Sequence, residues 1–495
     1  MKRRGLWGYE IVLFLILAIS CISCISDTDT DTDTDTDTDA CEGAMVIVFT
    51  TDLHGHLESL PYIASYVQGL RRNSEVILVD GGDCYQGTMI SNYFYGKPMI
   101  EAMDLMGYDL ICLGNHEFDW GKEHLNEIIS ETEPICCNVY EDGDLITRPW
   151  VIINKSNREF AFIGVLTPET RYIAKPSLVQ DFKFEDPLTS IEMLEFEDPV
   201  IVAHLNDYES LIDRTSLILA GHKHDWVNIE MDNTTILRPG CYGEGFGVVK
   251  LDPDSGDWKA DMVKLEYYGY GLYKGISTNG SEMILCPDPE ISSIIDEYGS
   301  KLDSLSSQII GYSNREMDTR ESGESTVGDL VTDSMREFAG TDIALTNSRG
   351  LRAPIHEGNI TYGSLFEVLP FGNNLIKLEL KGADIRSLLE HSLVQDERGL
   401  KYGILQVSGL NFTYDPDRGD HDRVIDIYIG GAEVDPDEYY SVATNDFIYS
   451  GGDGFDFTNG KNAVDTGNKL LEIVIEYIKF NSPIDMDVEG RMLKI

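Results

Sequence analysis

At 495 residues with 42% hydrophobic side chains, the chain is long enough for two or three domains, each with its own buried core. A net charge of −48 excludes a nucleic-acid duplex as partner, since that needs a basic footprint, but bound divalent cations would reverse the sign locally for a small anionic substrate. Nine cysteines, none beyond Cys286 and with no Cys-x-x-Cys pair in the folded part, exclude a disulfide framework and cysteine-ligated zinc, while Cys241 and Cys286 could bridge in an oxidising compartment.

Residues 1–26 read as a signal segment. Lys2, Arg3 and Arg4 precede an apolar run from Ile11 to Ile19, and small residues and cysteines follow in AISCISC, residues 18–24. The run is short for a membrane span. Its end resembles a bacterial lipoprotein cleavage site at Cys21 or Cys24, so a lipidated membrane tether and simple cleavage both stay open. Either way the protein is expected outside the cytoplasm: secreted, periplasmic or at the cell surface. Residues 27–43 begin with DTDTDTDTDTDTDA, which has seven mutually repelling aspartates and nothing to bury. They predict an extended, solvated spacer.

From residue 44 to about 250, short apolar runs repeatedly end in polar clusters. AMVIVFT leads into Asp52 and His54, EVILVD into Asp83, YDLICL into Asn115; PVIVAHL carries His204, and SLILA leads into His222 and His224. Helical patterns fill gaps at 97–107 and 121–131, so the alternation predicts an α/β core with sheets covered by helices. Residues 287–309 predict an amphipathic helix between two differently patterned halves, which places a boundary near 270–305. The second half adds the strands NLIKLEL and DRVIDIYI and the helix TVGDLVTDSMREFAG.

In α/β sheets ligands gather beyond strand ends, and here each such end delivers a metal-ligand type. A lone strand-end histidine is more often a satisfied polar residue, and a lone GNHE could be a tight turn. Half of the chain's ten histidines, however, sit in these motifs. Imidazole with carboxylate suits Zn²⁺, Mn²⁺, Fe²⁺ or Co²⁺ better than Ca²⁺ or Mg²⁺. Seven ligand candidates exceed one tetrahedral site and suffice for two ions sharing a bridging carboxylate.

The order D-x-H, G-D, G-N-H-E, H, G-H-x-H resembles the calcineurin-like metallophosphoesterase superfamily. More narrowly, TDLHGHLE, GGDCYQGT, GKPMIEAMDLMGYDLICLGNHEFDWG and GHKHD are similar to the secreted 5′-nucleotidase and UDP-sugar hydrolase family, over residues 44–480. The resemblance implies an α/β fold: a four-layer α/β/β/α metallophosphoesterase sandwich at 44–270, a linker with a helix at 271–305, and a smaller α/β nucleoside-binding domain at 306–495. It implies two divalent ions (Zn, Mn, Co or Fe), one on Asp52, His54, Asp83 and His224, the other on Asp83, Asn115, His204 and His222, with Asp83 as the bridge. By the same resemblance a metal-bound hydroxide releases phosphate from nucleoside 5′-monophosphates. His116 then meets the leaving oxygen, and Asp119 orients His116. Related proteins extend the range to nucleoside diphosphates, UDP-sugars and 2′,3′-cyclic nucleotides. Glu117 is expected to bond backbone amides of the turn.

In the second half, TNSRGLRAPI, LPFGNNL and NDFIYSGGDGF resemble the 5′-nucleotidase C-terminal domain. The resemblance implies that Phe371 and Phe447 sandwich the base and that Asp453 accepts the ribose hydroxyls. Asn347 and Asn373 would meet the base edge or ribose, and Arg352 with Arg320 the phosphate. The family usually has glycine where Arg349 stands, the spacing after Arg320 is longer than usual, and the stretch 167–200 is short. A surface nucleotide-binding protein without turnover and a sulfur-compound hydrolase share the scaffold. The complete ligand set with His116 and Asp119 speaks against the first, the aromatic pair and GGDGF against the second. Substrate groups divided between two halves imply a cleft closed by domain rotation.

Overall fold

The strand Met45–Thr50 is buried along its whole length because both of its faces are covered. In this computed structural model, which describes residues 45–495 except 157, 253–254, 270 and 397–398, Val46 and Val48 face helices while Ile47 and Phe49 face a second sheet. The signal segment, the aspartate spacer and both lipidation candidates lie outside the described residues. Continuous apolar runs are what a parallel strand buried on both faces requires. Met45–Thr50 pairs in parallel with Glu75–Asp80, and that strand with Leu110–Ile111. On its other edge Gly245–Leu251, Trp258–Gly269, Leu272–Ser277 and Glu282–Leu285 follow antiparallel, completing a seven-stranded sheet.

A six-stranded sheet lies against it, with Val200–His204 running in parallel between Leu217–Ala220 and Arg158–Leu166. Phe49, Ile77 and Val79 meet Phe162, Val202, Leu219 and Leu237 between the sheets. Outside the first sheet pack the helices Leu60–Arg71, Lys97–Met106 and Pro289–Ser306. Pro187–Glu192 and the turn Glu209–Arg214 cover the second. The result is the four-layer α/β/β/α sandwich.

The span 271–305, expected as a linker, instead continues this unit. Leu272–Ser277 and Glu282–Leu285 extend the first sheet, and Pro289–Ser306 is fastened to its helices. Asp288 caps that helix by accepting from the backbone of Glu290 and Ile291, Gln68 donates to Asp288 at 2.7 Å, and Tyr298 donates to Glu101 at 2.7 Å. These late strands alternate buried and exposed residues, so they lack the continuous apolar runs that marked the earlier ones.

The second half is built on a five-stranded mixed sheet ordered Leu405–Ser408, Ile343–Asn347, Tyr439–Asn445, Asn374–Lys381, Lys461–Lys469. Thr326–Ala339 and Leu470–Asn481 cover one face; Gly382–Ser392 and a four-stranded sheet cover the other. Cys241 is a buried free thiol, so the bridge to Cys286 that the sequence allowed is not formed. No helix among the described residues is long and apolar enough to cross a membrane.

Phe49 fills the space between the two sheets with no exposure. Phe49→Ala is expected to lower the stability of the N-terminal half by about 3–5 kcal/mol. Urea unfolding followed by tryptophan fluorescence measures this, with native far-UV circular dichroism unchanged.

Candidate active site

The parallel strands of both sheets release their loops at one edge, and the backbone there is unusual. Asp52 (φ 51°), His54 (47°), Asp83 (55°), His222 (79°) and His224 (57°) are all left-handed. Non-glycine residues persist in that region only where the surroundings over-determine them. The loops are laced together by Asp52 N–H donating to Gly82 O and His54 N–H to Asp83 O, both at 2.9 Å. Two glycines explain their place in the motifs. A Cβ on Gly114 would overlap the Asp83 carboxylate, and one on Gly221 would overlap Thr51 Oγ1 and reach within 3.0 Å of His204 Nδ1.

Six of the seven candidate ligands converge in two groups, and Asn115 lines the cleft beside them. Asp52, His54 and His224 have ligand atoms within 4.8 Å of one another, as do Asp83, His204 and His222. His204 Nδ1 lies 2.8 Å from Gly81 O, and His54 Nδ1 lies 3.0 Å from Gln86 O. A carbonyl can only accept, so both Nδ1 atoms carry a proton, and a metal bond from either ring has to be made by Nε2 once its own proton has left. Both Nε2 atoms point into the cluster: His54 Nε2 is 3.2 Å from His224 Nε2, and His204 Nε2 is 3.1 Å from Asp83 Oδ2. Asn115 Oδ1 is buried and accepts no hydrogen bond. Buried carboxylate and imidazole ligand atoms gathered beside an unpartnered amide oxygen are what a divalent cation satisfies, so the residues present fit metal ions.

The charges conflict without such a cation. Burial alone would raise the Asp83 carboxyl, but the charges of His204 and His116 hold it well below its usual range. Burial alone would lower His204, yet Asp83 pulls it up to about 10. Its neighbour His222 is pushed down to about 3 by burial and by the His204 charge.

His116 borders the cluster, its Nδ1 2.6 Å from Asp119 Oδ2, which leaves Nε2 to face the cleft. Burial lowers its affinity for protons, but Asp119 and Asp83 outweigh that and raise it above the ordinary imidazole value. Glu117 lies behind, accepting the backbone N–H groups of Asp83 (3.0 Å), Cys84 (2.9 Å) and Gly114 (2.7 Å). It is the backbone-bonding residue the sequence suggested.

A cleft of about 1140 Å³ runs from this cluster to the second half. From the first half Asp83, Asn115, His116, Asp119, His222 and His224 line it; from the second come Asn347, Arg352, Phe371, Asn373, Phe447 and Asp453. Asp52, His54 and His204 lie buried beneath. The Phe371 ring is 6.0 Å from the His116 ring and inclined by 19°. Phe447 rests on Gly452, where a Cβ would come within 2.6 Å of its ring. Asp453 (φ 53°) is pushed up to about 7 by burial, against the pull of Arg349; it accepts from Asn347 Nδ2 at 3.4 Å, and its carbonyl accepts from His391 Nε2 at 2.8 Å.

Arg320, expected on phosphate, is not among the residues lining the cleft; its Nε donates to Asp318, two residues earlier, at 2.6 Å. Arg349 does line the cleft, with its Nε donating to Glu321 at 3.1 Å. Sequence reasoning also passed over Arg171, Lys175, His391 and Tyr402, which line the cleft without any motif to mark them. His391 and Tyr402 stack with centroids 4.4 Å apart, and Lys175 Nζ lies 2.7 Å from Asp446 Oδ2 across the two halves.

Residues 45–226 match the family described as calcineurin-like phosphoesterase, and residues 304–460 that described as 5′-nucleotidase, C-terminal domain. The chain is 28% identical to Endonuclease YhcR of Bacillus subtilis (strain 168) over 88% of its own length, and it spans 38% of that longer relative. It is 28% identical to the 5′-nucleotidase of Homo sapiens, with 90% of each chain covered. The solved structure of a 5′-nucleotidase precursor from Thermus thermophilus superposes with a TM-score of 0.79 at 26% identity, covering 91% of this chain and 99% of that one.

Removing Glu117 strands three backbone donors beneath the metal-ligand loops. Glu117→Ala is expected to destabilise the protein by about 2–5 kcal/mol, since each unsatisfied buried donor costs about 1–3 kcal/mol and partial rehydration offsets some of it. Calorimetry reads the loss, and metal content per chain should fall with it.

Proposed function

We propose, for a chain that belongs to the 5′-nucleotidase family of two-domain metallophosphoesterases, a metal-dependent hydrolase acting outside the cytoplasm that releases phosphate from nucleoside 5′-monophosphates. Nucleoside diphosphates, UDP-sugars and 2′,3′-cyclic nucleotides are further substrates of the same cleft. The observation that carries this reading is that one cavity opens over clustered carboxylate and imidazole ligand atoms, with Asn115 Oδ1 left without a hydrogen-bond partner, and faces a wall bearing Phe371, Phe447 and Asp453. The signal-like segment 1–26 supports the location.

Asp52, His54, Asp83 and His224 would hold one divalent ion, and Asp83, Asn115, His204 and His222 the other, drawn from Zn, Mn, Co or Fe. When bound, such ions acidify water and offset charge on phosphoryl oxygens. His116, its Nδ1 fixed by Asp119, presents Nε2 to the cleft and there hands a proton to the leaving oxygen. Arg352 grips phosphate oxygens. Among the described residues it forms no ion pair, so its planar donor fork keeps its charge for an anion. Phe371 and Phe447 hold the base by stacking, worth about 1–3 kcal/mol per base. Asp453 accepts the ribose hydroxyls, and Asn347 and Asn373 bond the base edge or ribose.

Phosphate release from AMP, UDP-glucose and 2′,3′-cAMP, with Mn²⁺, Zn²⁺ or Co²⁺ added or chelator present, tests the assignment. Release from AMP that is lost on chelation is expected; no turnover on any of the three would overturn it. Phe447→Ala should raise KM for AMP by about tenfold, in line with one lost stacking contact. The same change should leave KM for p-nitrophenyl phosphate within about twofold, since that substrate has no base to stack. Equal effects on both would remove the stacking role.

A further inference from the structure

We infer that Tyr242 is a positioning residue whose hydroxyl holds the Arg352 guanidinium over the metal-ligand cluster, across the seam between the two halves. The inference rests on the reading of Arg352 as the phosphate-gripping group. Tyr242 follows the strand Thr234–Pro239 of the first half, and Arg352 follows Ile343–Asn347 of the second. Arg352 Nη2 donates to the Tyr242 hydroxyl oxygen at 3.2 Å.

The tyrosine is the fixed member of this pair. Its ring is wedged among imidazoles, with centroids 5.4 Å from His54, 5.2 Å from His224 and 5.0 Å from His56. Its backbone is left-handed (φ 56°), and its N–H donates to Asp52 O at 2.8 Å. Gly243 then packs so tightly on Ser59 Oγ that a Cβ there would overlap it. The hydroxyl therefore cannot follow a wandering side chain.

Arg352 is the less confined member. It is exposed in the cleft, and besides the tyrosine its guanidinium carbon lies 5.8 Å from the Phe371 ring centroid. Freeing a long cationic side chain restores rotamers that substrate binding must then remove again. A neutral hydroxyl suits the task better than a carboxylate. It fixes one N–H and leaves both the charge and the other donors for phosphate, whereas a carboxylate would compete with the anion for the same fork.

Tyr242→Phe removes the hydroxyl and keeps the ring against His54 and His224. Expected are rises of about three- to tenfold in KM for AMP and in the inhibition constant of inorganic phosphate, the size of one modest hydrogen bond to a charged group. Metal content per chain, read by elemental analysis, should not change. Arg352→Ala should raise both constants further, and adding Tyr242→Phe to it should change neither. Effects that multiply in the double variant, or a silent Tyr242→Phe beside an impaired Arg352→Ala, would overturn the positioning role alone. Metal loss in Tyr242→Phe would also overturn it, assigning the residue to the ligand cluster. An Arg352→Ala variant with both constants unchanged would overturn the phosphate reading itself, and the tether with it.

Discussion

Asp83 Oδ2 lies 3.1 Å from His204 Nε2 and 3.9 Å from His54 Nε2, while its Oδ1 accepts the backbone N–H of His116 at 2.8 Å. One buried carboxylate thus touches loops from both sheets, and the rest of the site is arranged to keep it there. Glu117 ties down the backbone on either side of it, and Gly114 gives the room for the chain to pass. The left-handed turns at Asp52, His54, His222 and His224 persist because the sandwich beneath them is rigid and dry. The two-sheet core serves the chemistry by fixing where five strand ends stop.

The charge distribution follows a similar division. The chain carries 86 acidic and 38 basic side chains, more than two to one. Along the cleft the balance turns: Arg171, Lys175, Lys223, Arg349, Arg352 and Lys401 stand against Asp83, Asp119, Glu169, Glu321 and Asp453. Near balance inside so acidic a chain lessens the repulsion that an anionic ligand would meet there. Divalent ions on the floor would tip that balance towards positive. The overall acidity therefore bears on solubility, and the local balance bears on binding.

What the sequence made legible was whatever local pattern enforces. Each metal-ligand candidate follows an apolar run buried on both faces, so Asp52, Asp83, Asn115 and His222 could be placed by strand ends alone. His204 stood out as the last residue of such a run. The GGDGF turn was readable only by its resemblance to the family's motif, and the structure adds the reason for its second glycine, which admits the Phe447 ring. The pairing of Arg320 with Asp318, only two residues away, left no mark on the sequence pattern. The strands 272–285 were passed over because one of their faces meets water. Tyr242, Lys175 and His391 were invisible for a different reason. Their contacts cross from one half or one element to another, and no periodicity encodes that.

The seam itself is the last consequence of this arrangement. Lys175 meets Asp446, Arg352 meets Tyr242, Asn92 Nδ2 donates to Pro370 O at 3.4 Å, and Phe371 lies over His116. Each of these contacts uses a residue of the candidate site or its immediate neighbour in sequence, since Asp446 precedes Phe447 and Pro370 precedes Phe371. The seam and the candidate site therefore share short stretches of chain. Exchanging one polar partner for another has a small net cost, because hydrogen bonds lost to the seam are regained on substrate or water. A seam made of such contacts, unlike one closed by a dry apolar core, brings polar groups of both halves to the edge of the cleft.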